Sequence, residues 1–233
     1  VVKSTDRGSN WITYTTIDGL ATNVVYDIYG EDSYLFLGHS GVGLASTFDG
    51  GDTWDIIDIG TIYSLSVDGN SYYCATNGFL QVSDNAGTTW SSNADADGPG
   101  TYHCLAVHGA GDFIVAGTQN YGVGISNDFG TTWTHYSIPE GLPGDDVLSI
   151  AVSGSTIWVG TGTGLGVSYD GGANWGTIST SGAPANSVFS MHVDTYALYA
   201  GSGSSDGLYV SSDFGTTWVS LGSEIGNPGR INS

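Results

Sequence analysis

The chain has 233 residues, of which 39% are hydrophobic and only 11% charged. This composition excludes a disordered chain, which pairs low hydrophobicity with many charges, and no apolar run reaches the roughly 18 residues of a membrane-spanning helix. Three basic residues against 23 acidic ones give a net charge of −20. This balance excludes nucleic acid and disfavours anionic membrane surfaces as partners, because phosphates would remain unneutralised. The acidity is typical of a soluble, self-repelling surface, with cation binding or a saline medium as the alternative.

From the first residues onward, one eight-residue pattern recurs along the chain. In its full form it is Ser-x-Asp-x-Gly-x-Thr-Trp, and we call each copy a box turn. Asn10 and Asn174 replace the Thr, Thr47 replaces the Ser, and Asn85 replaces the Asp. The six box turns cover residues 4–11, 47–54, 83–90, 126–133, 168–175 and 211–218.

Each position of the box turn has a structural task in a tight hairpin. The Asp or Asn side chain accepts hydrogen bonds from backbone N–H groups, the hydroxyl adds a second local bond, and the Gly supplies an unusual backbone angle. The Trp begins the next strand and buries a large apolar area. We therefore expect six joints whose indoles lie between neighbouring sheets, in preference to six catalytic aspartates. The residues of these joints are Asp6, Trp11, Asp49, Trp54, Asn85, Trp90, Asp128, Trp133, Asp170, Trp175, Asp213 and Trp218.

The spacing of the box turns indicates a β-propeller. Successive box tryptophans are 43, 36, 43, 42 and 43 residues apart, and repeats of about 40–45 residues with several strands each are typical of propeller blades. We predict an all-β fold of four-stranded antiparallel blades with essentially no helix, because no helical apolar period persists. The predicted innermost strands are 24–28, 62–67, 102–107, 147–152 and 188–193, and the predicted second strands are 34–38, 72–76, 113–117, 156–161 and 197–201.

The two ends of the sequence predict an incomplete blade. Val1 aligns with Leu208 of a third strand, and Ser233 aligns with Ser190 of an innermost strand. We expect a single propeller domain over residues 1–233, with five complete blades and a partial sixth built from both termini. Such sharing of a blade protects an open sheet edge. Seven blades in a longer parent protein are the alternative.

Two cysteines, Cys74 and Cys104, lie in apolar strand patterns. In the alignment of the repeats, Ser149 and Ser190 occupy the position of Cys104. We expect two buried free thiols, because Cys packs as a small hydrophobic residue. A disulfide between neighbouring blades stays open as an alternative, since strand proximity alone does not decide it.

Candidate site residues gather in loops that join an outer strand to the next innermost strand. A glycoside hydrolase needs two carboxylates about 5–9 Å apart, and the candidates for such a pair are Asp145 and Asp146, Asp95 and Asp97, and Glu140. No His or Arg beside them would separate the pKa values of an acid and a base, so we also interpret them as ordinary loop residues. The candidates for ligand binding are Asp95, Asp97, Tyr121, Asp145 and Asp146, with Tyr102 and Tyr136 near the same rim.

No cofactor or metal site is expected from the sequence. The stretch from Asp95 to Gly98 is similar to the start of a calcium loop, but it lacks the further acceptors and the terminal Glu. Calcium at this stretch is the alternative. The five histidines lack the spacing of a metal site.

The box turns resemble the Asp-box, or BNR, repeats of sialidases, xyloglucanase-type glycoside hydrolases, sortilin-like receptors and photosystem II assembly factors. The resemblance covers nearly the whole chain, and the segment from Gly141 to Leu165 also resembles the repeats of sensor-kinase extracellular propellers. It implies a propeller whose box turns are structural and lie away from the ligand site. Sialidases of this resemblance hold the substrate carboxylate with three arginines, whereas this chain has only Arg7 and Arg230, so sialidase activity is excluded.

The sequence therefore predicts a non-catalytic propeller module, secreted or on the cell surface, or else periplasmic, that contacts a protein or a glycan. A xyloglucanase-like hydrolase using a pair of loop carboxylates is one alternative. A structural subunit that self-assembles into a homo-oligomer through the incomplete blade is the other. Nucleic-acid binding and membrane insertion are not expected.

Overall fold

The computed structural model describes residues 1–31, 34–93, 102–203 and 207–222. In these residues the strands form five four-stranded antiparallel sheets and one two-stranded sheet. The N-terminal sheet consists of β1 (Val2–Lys3) and β2 (Ile12–Thr13). The all-β propeller predicted from the sequence is confirmed, with five complete blades and the N-terminal pair as the sixth sheet. Residues 223–233, expected to share that sixth sheet, lie outside the described part of the chain.

Each complete blade runs from its innermost to its outermost strand in sequence order. Blade 1 contains β3 (Val25–Glu31), β4 (Tyr34–His39), β5 (Gly43–Thr47) and β6 (Asp55–Ile57). Blade 2 contains β7 (Ile62–Asp68), β8 (Ser71–Thr76), β9 (Leu80–Ser83) and β10 (Ser91–Asn93). Blade 3 contains β11 (Cys104–Ala110), β12 (Phe113–Thr118), β13 (Val123–Ser126) and β14 (Thr134–Tyr136). Blade 4 contains β15 (Val147–Ser153), β16 (Thr156–Thr161), β17 (Gly164–Ser168) and β18 (Gly176–Ile178). Blade 5 contains β19 (Val188–Val193), β20 (Leu198–Ser202), β21 (Leu208–Ser211) and β22 (Val219–Ser220).

Short helices and strand ends refine the predicted pattern. The described residues contain two single-turn 3-10 helices, Thr16–Asp18 and Ile138–Glu140, both in loops that lead to an innermost strand. The predicted innermost strand that began at Tyr102 begins instead at Cys104. No helix in the described part of the chain is long and apolar enough to span a membrane.

The box turn of blade 3 shows how these corners are held. Asp128 accepts hydrogen bonds from the Thr132 backbone N–H at 2.8 Å and from the Thr132 hydroxyl at 2.6 Å. Ser126 donates its hydroxyl to Asp128 and accepts the Gly130 N–H, both at 2.8 Å. Phe129 and Gly130 both adopt left-handed backbone angles, with φ of 57° and 83°, which reverse the chain sharply. The predicted mechanical role of the box turn rests on these bonds.

A negative charge is not required for this geometry. In the box turn of blade 2, Asn85 accepts the Thr89 N–H at 2.9 Å and donates its amide N–H to the Thr89 hydroxyl at 2.7 Å. The amide therefore replaces the carboxylate, with one hydrogen bond reversed: Asn85 donates to the Thr89 hydroxyl, whereas Asp128 accepts from the Thr132 hydroxyl. Where the residue is Asp, the bonds favour the ionised form, and the Thr217 hydroxyl and N–H lower the pKa of Asp213 to about 2.

Five box tryptophans pack between neighbouring sheets, as predicted. Trp133 lies in a core cluster with Tyr73 of the preceding blade, and Trp218 lies in a cluster with Trp158 of its preceding blade. Trp11 departs from the prediction because its side chain is 60% exposed. In the described residues, the face of the N-terminal sheet that carries Trp11 is left uncovered, although its indole still donates to the Gly8 carbonyl at 3.1 Å.

Close contact between neighbouring blades depends on a glycine in the second strand. A Cβ added at Gly117 would lie 2.5 Å from the Val147 Cγ1 of the next innermost strand, and a Cβ at Gly160 would lie 2.8 Å from the Val188 Cγ1. Both distances are far below the 3.5–4.0 Å of an ordinary carbon contact. The second strand must therefore lack a side chain where a valine of the next blade crosses it.

Blade 2 solves the same contact with a different pair of residues. The strand registers place Ala75 at the position of Gly117 and Cys104 at the position of Val147, and Ala75 and Cys104 share one buried cluster. The alignment of Cys104 with Ser149 and Ser190 was therefore wrong, because the counterpart of those two serines is Ala106, two residues after Cys104. We interpret Cys104 as the smaller partner that leaves room for the Ala75 methyl group.

Both cysteines are buried free thiols, as expected. Burial raises the pKa of the Cys104 thiol to about 12 and raises that of Cys74 further above its ordinary value. The thiols are therefore protonated at neutral pH and serve as apolar packing groups.

Candidate functional site

The candidate site is the rim formed by loops on the edge of the sheets opposite the box turns. Tyr121 lies in the loop between β12 and β13, and Asp145 and Asp146 lie in the loop that leads to β15. The Gly122 N–H donates to the Asp145 carbonyl, and the Asn120 N–H donates to the Asp146 carboxylate, both at 2.8 Å. The structure thus brings three of the five predicted binding residues together. Two others, Asp95 and Asp97, lie outside the described residues, as does the candidate calcium stretch.

A stack of three rings forms the aromatic part of this rim. The Tyr102 and Tyr121 rings lie 4.0 Å apart with an interplanar angle of 9°, and Tyr121 and His135 lie 3.8 Å apart at 21°. A ring nitrogen of His135 also bonds to the Tyr121 carbonyl. All three side chains are half-buried. The stack fixes the Tyr121 ring in place and leaves part of its edge accessible to solvent.

The carboxylates of the rim are used in loop structure. Asp145 accepts the Ile138 N–H and Asp146 accepts the Asn120 N–H, both at 2.8 Å. Glu140 accepts the Ser137 N–H at 2.8 Å and the Ser137 hydroxyl at 2.7 Å, which lowers the pKa of the Glu140 carboxyl. A general acid at neutral pH needs a raised pKa, so the shift of Glu140 has the wrong sign for that role.

A second loop of the same chain repeats this arrangement without a carboxylate at the position of Asp145. In the loop that leads to β3, Asn23 accepts the Thr16 N–H at 3.2 Å, as Asp145 accepts that of Ile138. Asp18 accepts the Thr15 N–H at 2.8 Å, as Glu140 accepts that of Ser137. An uncharged amide therefore meets the geometric requirement at position 145, which supports a structural role for Asp145.

An axial cavity of about 200 Å³ lies where the innermost strands of the five blades converge. The residue that follows the bulge in each innermost strand is part of its lining, namely Asp27, Ser64, Ala106, Ser149 and Ser190. Burial raises the pKa of Asp27, although its carboxylate accepts N–H groups from Leu65 at 2.7 Å and Ile28 at 2.8 Å. The sequence reasoning missed Asp27. The sequence could have identified it, because Asp27 is the one charged residue at this position, where the other four blades carry Ser or Ala.

In the part of the chain that the structure describes, no group of three or more His, Cys, Asp or Glu side chains lies close enough to hold a metal ion. His39 is buried and contacts the Thr22 hydroxyl at 3.5 Å, and burial lowers the pKa of its imidazole.

The sheets, their box turns and the rim define a β-propeller built from repeated four-stranded blades. Residues 28–231 match the family model described as the DUF6242 beta propeller domain. The chain therefore belongs to this family.

One curated relative is a xyloglucanase of Hypocrea jecorina (strain QM6a). It is 28% identical over 223 residues, which cover 88% of this chain and 25% of the relative. The chain thus spans about a quarter of the length of the curated relative that it matches.

Solved structures with the same fold come from different settings. An ancestral GH74 enzyme matches with a TM-score of 0.67 and 19% identity, over 90% of this chain and 33% of the enzyme. The extracellular domain of a B. thetaiotaomicron protein, named as a hybrid two-component system, matches with a TM-score of 0.70 and 18% identity over 90% of this chain and 31% of that one. YCF48 bound to D1 peptide matches with a TM-score of 0.59 and 18% identity, over 84% and 67% of the two chains. At these identities the likeness establishes the fold alone.

Proposed function

We propose that this chain is a non-catalytic interaction module, extracellular or at the cell surface, whose rim binds a polysaccharide or a protein. The observation that carries the proposal is that Asp145, Asp146 and Glu140 are each engaged in loop hydrogen bonds, beside a fixed and partly exposed aromatic stack. The site thus offers a surface for contact and lacks a poised acid and base.

The relatives support the partner classes and the location. A xyloglucanase relative favours xyloglucan as the first ligand to test, and the neighbour named as bound to D1 peptide favours a peptide as the second. The neighbour named as an extracellular domain favours a location outside the cytoplasm. Aromatic side chains suit both ligands because each buries a large area with little loss of side-chain entropy.

Affinity electrophoresis in gels that contain xyloglucan tests the glycan arm. We expect retardation of the intact chain, loss of retardation in Tyr121→Ala, and retention in Tyr121→Phe, which keeps the stacked ring. Tyr169→Ala is a matched control, because Tyr169 is exposed on the box-turn edge. If a panel of polysaccharides and peptides binds the Tyr121→Ala variant as well as the intact chain, the rim is not the binding surface.

A glycoside hydrolase is the second candidate, favoured by the 28% identity to a xyloglucanase. It predicts release of reducing ends from xyloglucan by the purified chain, with loss of the activity in Asp145→Asn and Asp146→Asn. Those variants should fold, since Asn23 performs the task of Asp145 in the loop before blade 1. Cleavage that both substitutions abolish would replace the non-catalytic proposal.

Self-assembly is the third candidate, favoured by the uncovered apolar face of the N-terminal sheet. Val2 and Trp11 are both more than half exposed there. Light scattering of the eluting protein would show an assembly that Trp11→Ser dissociates. A strictly monomeric particle at all concentrations would exclude this role.

A further inference from the structure

A second concave site lies on the box-turn edge, away from the rim, between blades 1 and 2. It encloses about 410 Å³, within the range of roughly 300–1,000 Å³ of small-molecule pockets. Five aromatic rings and one amide give it its character, and we call it the aromatic groove: Tyr29, Tyr34, Phe36, Phe48, Asn70 and Tyr72.

The rings of the aromatic groove stand at steep angles to one another. Phe36 and Phe48 lie 5.9 Å apart at 89°, Tyr34 and Phe48 lie 5.5 Å apart at 69°, and Phe36 and Tyr72 lie 5.0 Å apart at 65°. Ring faces of different orientation therefore border the same space. A flat sugar ring stacks best on a single planar platform, whereas a compact cation gains from several faces at once.

The other blades provide a comparison within the molecule. Tyr34 begins the second strand of blade 1, and Phe48 is the second residue of its box turn. The counterparts of this pair in blades 2 to 5 are Ser71 with Asp84, Phe113 with Asn127, Thr156 with Tyr169, and Ala197 with Ser212. Among the described blades, only blade 1 carries aromatic residues at both positions. Neither the strand nor the box turn requires them, since four blades form without the pair.

The charge of the chain selects the sign of the ligand. Among the described residues no basic side chain lines the aromatic groove, and the protein as a whole carries a charge of −20. An anion would be repelled by this field, whereas a cation is attracted both by the field and by the negative faces of the rings. Lys3 donates to the Gly50 carbonyl of this box turn at 2.7 Å, from the side of the N-terminal sheet.

We propose that the aromatic groove binds the quaternary ammonium group of a small organic cation. The trimethylammonium group is compact and weakly hydrated, so ring faces replace its surrounding water at low cost. Tyr34 and Phe48 form the outer walls, being 51% and 52% exposed, and Phe36 and Tyr72 form the buried floor. The proposal is independent of the rim, which lies on the opposite edge of the sheets.

Isothermal titration of the intact chain with choline tests the proposal, with 3,3-dimethylbutan-1-ol as the neutral analogue of the same shape. We expect saturable binding of choline and at least about tenfold weaker binding of the neutral analogue, because the latter lacks the attraction between charge and ring faces. Equal binding of the two compounds, or no binding of choline, would overturn the proposal. Displacement of choline by cellobiose would reassign the groove to sugars.

Two variants locate the binding in the groove. Phe48→Leu and Tyr34→Leu keep apolar volume but remove a ring face, and each should weaken choline binding about threefold to tenfold. Tyr169→Leu is the matched control, since Tyr169 occupies the position of Phe48 in the box turn of blade 4, and its affinity should be unchanged. Circular dichroism confirms that the variants fold, which is expected because both wall residues are half exposed. Unchanged affinity in Phe48→Leu and Tyr34→Leu would place the cation elsewhere and refute the assignment.

Discussion

Replacing Cys104 by valine should destabilise the protein because of a contact between blades. In the interfaces between blades 3 and 4 and between blades 4 and 5, a Cβ on the second strand would lie 2.5–2.8 Å from a valine methyl of the next innermost strand. Blade 2 already carries such a Cβ on Ala75, and both Ala75 and Cys104 are fully buried. A valine at position 104 would therefore place a methyl about 1 Å too close to Ala75, and overpacking of this kind costs about 1–3 kcal/mol.

The double variant Ala75→Gly with Cys104→Val separates this mechanism from a general effect of changing Cys104. It recreates the glycine and valine pair of blade 3, so it should be more stable than the sum of the single changes predicts, by about 1–3 kcal/mol. The measurement is a double-mutant cycle from urea unfolding followed by far-UV circular dichroism. The converse cycle, Gly117→Ala with Val147→Cys, is the matched test in blade 3. Additivity within about 0.5 kcal/mol in both cycles would refute the size-matching argument.

Three further predictions concern the box tryptophans and two carboxylates. Trp218→Ala should lower the free energy of unfolding by about 3–5 kcal/mol, because the Trp218 side chain is only 6% exposed. Trp11→Ala should lower it by about 1–2 kcal/mol, because Trp11 is 60% exposed. Equal shifts in the urea midpoint would contradict the interblade role of the tryptophans. Asp213 has a pKa lowered to about 2, so its contribution to stability is present above its ordinary pKa of 3.8 and is lost as the pH falls towards about 2. Asp213→Asn should therefore reduce the change in unfolding free energy between these two pH values. An unchanged pH dependence would count against this assignment. Asp27 has a raised pKa, so its effect has the opposite sign: the folded state loses stability as the pH rises from 3.8 through the raised value. Asp27→Asn should remove this loss, which unfolding curves measured at a series of pH values would show.

The repeated architecture could be predicted because local chemistry specifies it. The box turn of residues 126–133 closes through side-chain bonds within eight residues, so its pattern identifies the corner without any knowledge of distant contacts. The start of the chain in a third strand could also be predicted, since Val2 pairs with Thr13 as Tyr209 pairs with Ser220. These features repeat, and each copy supports the interpretation of the others.

Features that depend on contacts between blades escaped the prediction. The alignment around Cys104 was two residues off, and it is the strand pairing in the folded blades that places Cys104 at the position of Val147. The exposure of Trp11 depends on what covers its sheet and not on its own box turn. The aromatic groove was missed because Phe36, Phe48 and Tyr72 come from two blades and meet only in the folded chain.

The role of the rim carboxylates was also beyond the sequence alone. Asp145 and Asp146 were candidates for catalysis because they are neighbouring carboxylates in a loop that joins an outer strand to the next innermost strand. The Asp146 carboxylate accepts the Asn120 N–H from a separate loop, and no spacing rule anticipates that partnership. Asp145 accepts the Ile138 N–H within its own loop, and this bond is recognised as a loop feature only because the folded chain repeats it between Asn23 and Thr16.

The pairing of Ala75 with Cys104 has a consequence for how such repeats can be exchanged. The two residues belong to different blades, so a recombination event that replaced one whole blade would separate them and join Ala75 to a valine. A break inside a blade, between its first and second strands, would keep the matched surfaces together. The unit that can be inherited or transplanted intact is therefore the interface between two blades. Engineered hybrids of this chain should be joined between the first and second strands of a blade.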